Sequence, residues 1–160
     1  MSFERFHHAQ AGRWSSFATA LEEIRAGRKS NHWIWYVFPQ IEGLGRSGKA
    51  REYALHGLAE AEEYLRDPVL RGHYLEISQA VEEQLARGVS LECLMGSATD
   101  ALKVASSLTL FHAAARELAV AESDPAFALL AQLSDAMLAR TVTQGYPACK
   151  FTLARIKAKD

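Results

Sequence analysis

Residues 32–53 read HWIWYVFPQIEGLGRSGKAREY, and the reading given to the first half decides whether the chain is all-helical or mixed. Trp33, Trp35, Tyr36 and Phe38 crowd into the seven residues from His32 to Phe38. The run is too short for periodicity to separate a strand from a helix. Capping candidates Ser30 and Asn31 precede it, and Pro39, which disfavours helical geometry at Phe38, follows it, so one or two helical turns are expected. Aromatics in such number anchor a core or line a pocket, and each Trp or Tyr brings a donor that needs a partner when buried.

Gly43, Gly45 and Gly48 then make the backbone permissive, and Lys49 to Leu55 reads as a helix with Ser47 as its N-cap. A glycine-rich turn feeding a helix start can bind an anion, because the first amides of a helix lack partners and its N-terminus carries partial positive charge. Arg46 and Lys49 add charge. The run GLGRSGKA nevertheless lacks the GxxxxGK[ST] spacing of a phosphate loop, and the plainer reading is that the glycines shape a turn.

Outward from this segment the pattern is helical. Trp14, Phe17, Ala18, Leu21 and Ile24 recur at helical spacing between Ala11 and Ala26, with Gly27 as the stop. After the segment, Gly57 divides one helix from the next, which runs from Leu58 to Leu65. Pro68 opens a helix through Leu70, Tyr74, Ile77, Val81 and Leu85 that ends at Gly88. Ser90 caps a short helix ending at Gly96, and a long one follows from about Asp100 to Ala121. Asp124-Pro125 starts a further helix carrying Phe127, Leu130, Leu133, Met137 and Leu138. Gly145-Tyr-Pro147 is a turn, and Lys150 to Asp160 forms a basic tail able to return as a last helix. The expectation is an all-α fold: a single compact multi-helix domain over residues 1–160, with residues 145–160 as its tail.

Hydrophobic residues make up 49% of the 160, charged residues 23%, and the net charge is −1. This composition suits a folded domain and gives no overall drive toward nucleic acid or anionic membrane. Cys93 and Cys149 fit neither a disulfide framework nor a CxxC metal site, and no membrane span or leader is read, so a cytoplasmic protein is expected.

Two constellations could carry chemistry. His32 titrates near neutral pH and borders a break in regular structure, which suits a general acid or base, although a hydrogen-bonded structural residue is the plainer reading. In the long helix, Asp100, Lys103 and Ser107 share one face, with Ser106 and Thr109 as a neighbouring pair. A desolvated lysine beside hydroxyls can assist catalysis; an ordinary Asp–Lys helix pair, with hydroxyls bonded to the turn above, explains the same residues. No HExxH pair or GxSxG elbow occurs, so neither a metal nor a serine-hydrolase triad is expected, and no cofactor is. Glu22-Glu23, Glu62-Glu63 and Glu82-Glu83 read as solvated helix faces.

The patterns His32-Trp33-x-Trp35-x-x-Phe38-Pro39-Gln40, Gly43-Leu44-Gly45-x-Ser47-x-x-Ala50-x-x-Tyr53 and Asp100-x-x-Lys103-x-x-Ser106-Ser107-x-Thr109-Leu110-Phe111 give the chain a resemblance to a bacterial family, domain of unknown function 1810. Phe6, Ala9-Gln10 and Ala61-x-x-Tyr64-Leu65-x-Asp67-Pro68-x-Leu70 extend it; beyond Phe127 it thins. The resemblance implies a mainly helical fold and supplies no activity. Some members are labelled calpastatin, an inhibitor of extended, disordered repeats, which a globular and repeat-free chain does not match.

Taken together, the residues predict a pocket for a small anionic, nucleotide-like metabolite. Trp33 or Trp35 would stack a ring, Gly43, Gly45, Arg46, Ser47 and Lys49 would hold a phosphate, and Gln40, Asp100 and Ser107 would add polar contacts. In an enzyme, His32 would be the acid or base and Lys103 its electrostatic partner; whether the chain is an enzyme stays open. The alternative is an interaction module presenting an exposed aromatic patch to a protein partner. Nucleic acid is disfavoured by the net charge, and no membrane association is expected.

Overall fold

The aromatic run forms a single helical turn, and the described part of the chain, residues 2–158 of a computed structural model, contains no strand. Ten helices follow one another: α1 (Glu4–Gln10), α2 (Phe17–Arg25), α3 (Ile34–Val37), α4 (Gly48–Glu52), α5 (Leu58–Arg66), α6 (Pro68–Ala86), α7 (Leu91–Met95), α8 (Ala98–Ala121), α9 (Pro125–Val142) and α10 (Lys150–Ala158). The fold is all-α, as the periodicity predicts. None of these helices is long and apolar enough to cross a membrane.

Side-chain caps set most of the starts. Ser16, Ser47, Ser90 and Ser97 each accept the amide three residues on, and Asp67 and Asp124 cap α6 and α9 with proline directly after them. Gly96 closes α7 at φ +82°, a conformation costly for any residue with a Cβ.

Three boundaries differ from the sequence reading: the helix read from Lys49 to Leu55 stops at Glu52, Leu55 pairing instead with Ile41 in an isolated bridge, and the first two helices divide differently. The helix expected from Ala11 begins only at Phe17, because the Ser16 hydroxyl takes the Thr19 amide and Ser15 turns the chain at φ +49°. Trp14, read as part of its apolar face, therefore lies outside the helix and is 80% exposed. Residues 4–10, in contrast, form a helix of their own. Its Gln10 is buried, donating from Nε2 to the Tyr36 carbonyl (2.7 Å) and the Tyr64 hydroxyl (3.1 Å), while Oε1 meets His73 Nδ1 at 2.7 Å.

The core is organised on α8. From Val104 to Phe111 every side chain is buried, so the helix is covered on all sides, by α9, α5, α7 and α10. The opposite layer is α2 against α6, which also reaches α9. Phe111 meets Tyr74 and Tyr64 at ring distances of 4.3 and 5.2 Å, and Tyr74 meets Phe38 at 5.7 Å, which ties α5, α6, α8 and the end of α3 together.

Candidate functional site

The aromatic segment is fixed from α2. Glu23, read in the sequence as half of a solvated pair, is buried, whereas Glu22 is exposed. Its Oε1 accepts the Ser30 amide (2.8 Å), the Asn31 amide (3.0 Å) and the Trp33 indole N–H (2.9 Å), and its Oε2 accepts the Asn31 side chain. Burial raises the carboxyl pKa, but the donors from Asn31, Ser30 and Trp33 outweigh it and bring it to about 2. Trp33 is thereby sealed in the core and offers no face for a stacked ring.

The two patterned segments meet beside it. Lys29 is buried, its Nζ 2.9 Å from Asp100 Oδ2 and 5.2 Å from the centre of the Trp33 ring. Lys103 approaches the other Asp100 oxygen at 3.5 Å and stands over the half-buried Trp35 at 5.4 Å. One carboxylate thus sits between two ammonium groups, each over an indole. His32 is exposed at the edge of this cluster; its carbonyl accepts the Tyr36 hydroxyl at 3.4 Å.

Gln40, Gly43 and Gly45 line a separate cleft of about 50 Å³, together with Glu42, Ala50 and Arg51. That is room for a few waters or one compact anionic group. The turn closes against its own helix: a Cβ on Gly45 would lie 2.3 Å from the Ala50 Cβ. Gly43, at φ +104°, lies under α10, where a Cβ would come within 2.8 Å of the Phe151 ring and 2.9 Å of the Arg155 guanidinium, which donates to the Glu42 carbonyl. Arg46, Ser47 and Lys49 are exposed, and the Ser47 hydroxyl is occupied by the Ala50 amide. At five residues, α4 contributes only a small dipole.

The structure therefore divides the residues singled out in the sequence. Trp33, Trp35, Asp100 and Lys103 are brought together; Gln40, Gly43 and Gly45 form the cleft. Ser107 joins neither, because it is buried and its hydroxyl pairs with Tyr74 at 2.9 Å. Ser106 and Thr109 bond back to Leu102 and Ala105, as hydroxyls in helices do.

Lys29 and Arg51 stand out in the sequence only as members of a basic set beside the tryptophans, with Arg28, Arg46 and Lys49, that could contact nucleic acid. Phe151 reads only as an apolar residue of a tail able to pack back, and Arg155 is not reached. Nothing in the tail points to the turn a hundred residues earlier. Cys149 also gains surroundings that spacing could not show. Burial pushes its thiol pKa up, but the polar surroundings that the Ser106 and Thr152 hydroxyls and the first amides of α10 provide hold it below the usual value.

Comparisons with known proteins add the family. A search of the curated proteins finds no match. Among solved structures, the chain is similar to the conserved hypothetical protein Rv1873 from Mycobacterium tuberculosis, at 34% identity over 96% of this chain and 95% of that one, with a TM-score of 0.79. The family described as protein of unknown function (DUF1810) matches residues 1–130, which include both patterned segments. The chain belongs to that family.

Proposed function

We propose that this protein is a cytoplasmic binding protein for a small anionic metabolite, whose phosphoryl or carboxylate group enters the cleft of the glycine-rich turn. The observation that carries the reading is the cleft itself: Gln40, Gly43 and Gly45 line it as one surface, and Arg51 lines it without a carboxylate partner among the described residues. Arg46 and Lys49 stand exposed on the same turn and add positive potential at short range. The cleft admits the anionic group alone, so any nucleoside or sugar portion would lie outside it.

Melting temperature and tryptophan fluorescence measured against inorganic phosphate, nucleotides and sugar phosphates test this. A ligand should raise the melting point of the parent protein and lose its effect in Arg51→Ala and in Arg46→Ala/Lys49→Ala, all of which replace exposed side chains. Removal of one charge-assisted contact should weaken binding about tenfold or more. Equal shifts in parent and variants, or none across the set, would remove the turn as an anion site.

A further inference from the structure

The face formed by α8, α9 and α10 carries a larger concavity, which shares no lining residue with the glycine-rich cleft. It is a groove of about 690 Å³, a size common for small-molecule sites. Its floor is apolar: Ala113 comes from α8, Leu138 and Val142 from α9 and Leu153 from α10. Val142 and Leu153 are left 50% and 41% exposed, so apolar surface that the fold could have covered faces water in a concave place.

The rim is charged, and unevenly so. Arg116 and Lys150 line the groove, both exposed and neither with an ion-pair partner among the described residues. Asp135, the carboxylate at the rim, lies 3.7 Å from His112 Nε2. Two free cations over an apolar floor complement a ligand that is anionic at one end and hydrocarbon along the rest. A neutral apolar molecule would leave both cations without a partner, and a cationic one would meet like charge.

We propose that this groove binds a fatty-acid-like molecule, a single hydrocarbon chain lying over Ala113, Leu138, Val142 and Leu153 with its carboxylate paired to Arg116 and Lys150. The chain would gain by leaving water, and the carboxylate would fix its direction in the groove.

Calorimetric titration with decanoate, beside decanol and decylammonium of the same chain length, tests the proposal. Decanoate should bind saturably and about tenfold or more tighter than either control. Arg116→Ala/Lys150→Ala should remove that preference, and Ala139→Trp, which fills the groove from an exposed position of α9, should weaken all three ligands. Circular dichroism of both variants establishes that they remain folded. Three results would overturn the proposal: no saturable binding of decanoate, equal binding of the three ligands, or decanoate affinity unchanged in either variant.

Discussion

Glu23 shows how much one carboxylate can hold when its partners are N–H donors. Four donors converge on it, from Ser30, the backbone and side chain of Asn31, and the Trp33 ring. Its folded pKa of about 2 lies below the ordinary glutamate value of 4.5, so its contribution is complete above about pH 4.5 and is lost as the pH falls toward 2. Roughly 3 kcal/mol rests on it at neutral pH. Glu23→Gln should lose stability of that order at pH 7, and the gap between parent and variant should close as urea unfolding is repeated at lower pH. A gap that stays constant down to pH 3 would contradict the assignment. At this scale the sequence was only partly legible. That a buried Trp33 would need an acceptor followed from its chemistry, but the identity of the acceptor did not, because Glu22 and Glu23 differ in environment by one step around a helix and look alike in a charge pattern.

Among the elements, the helices with a serine or aspartate start and a glycine or proline stop were readable, since caps act over three or four residues. The start of α2 was not, because apolar spacing extends back to Trp14 while the Ser16 cap and the Ser15 turn end the helix after it. The turn was half readable for a related reason: its glycines lie in one stretch, but the Phe151 and Arg155 side chains that pack on Gly43 come from α10. Gly43 is where the two depend on each other. At φ +104° any side chain is strained there, and a Cβ would also strike Phe151 and Arg155. Gly43→Ala should cost about 1–2 kcal/mol or more and loosen α10 from the turn. Amide hydrogen exchange should then speed up in residues 150–158 well beyond the change in the core, whereas a uniform increase would mean that the turn and α10 are not coupled.

Across the whole molecule, α8 gathers the helices and the family-matched part of the chain stops inside α9, at residue 130. Met137 and Thr141, both buried, lie past that point, so part of the core comes from residues outside the matched pattern. One contact that joins the loop after α2 to α7 and α8 is Lys29, whose amide donates to the Leu94 carbonyl at 2.8 Å and whose ammonium is enclosed by Asp100 and Trp33. A buried ion pair of this kind is costly to break from one side. It also makes Lys29 a built-in clock for the protein. An amine-reactive reagent will modify exposed Lys49, Lys150 and Lys157 at once, but can reach Lys29 only in molecules that have opened. If opening there is global, Lys29 labelling should accelerate about tenfold for each 1.4 kcal/mol of stability removed elsewhere, by Gly43→Ala or by urea, while the surface lysines keep their rates. Mass spectrometry of one digest would then report the unfolding equilibrium, and labelling of Lys29 as fast as Lys49 would show that the loop opens by itself.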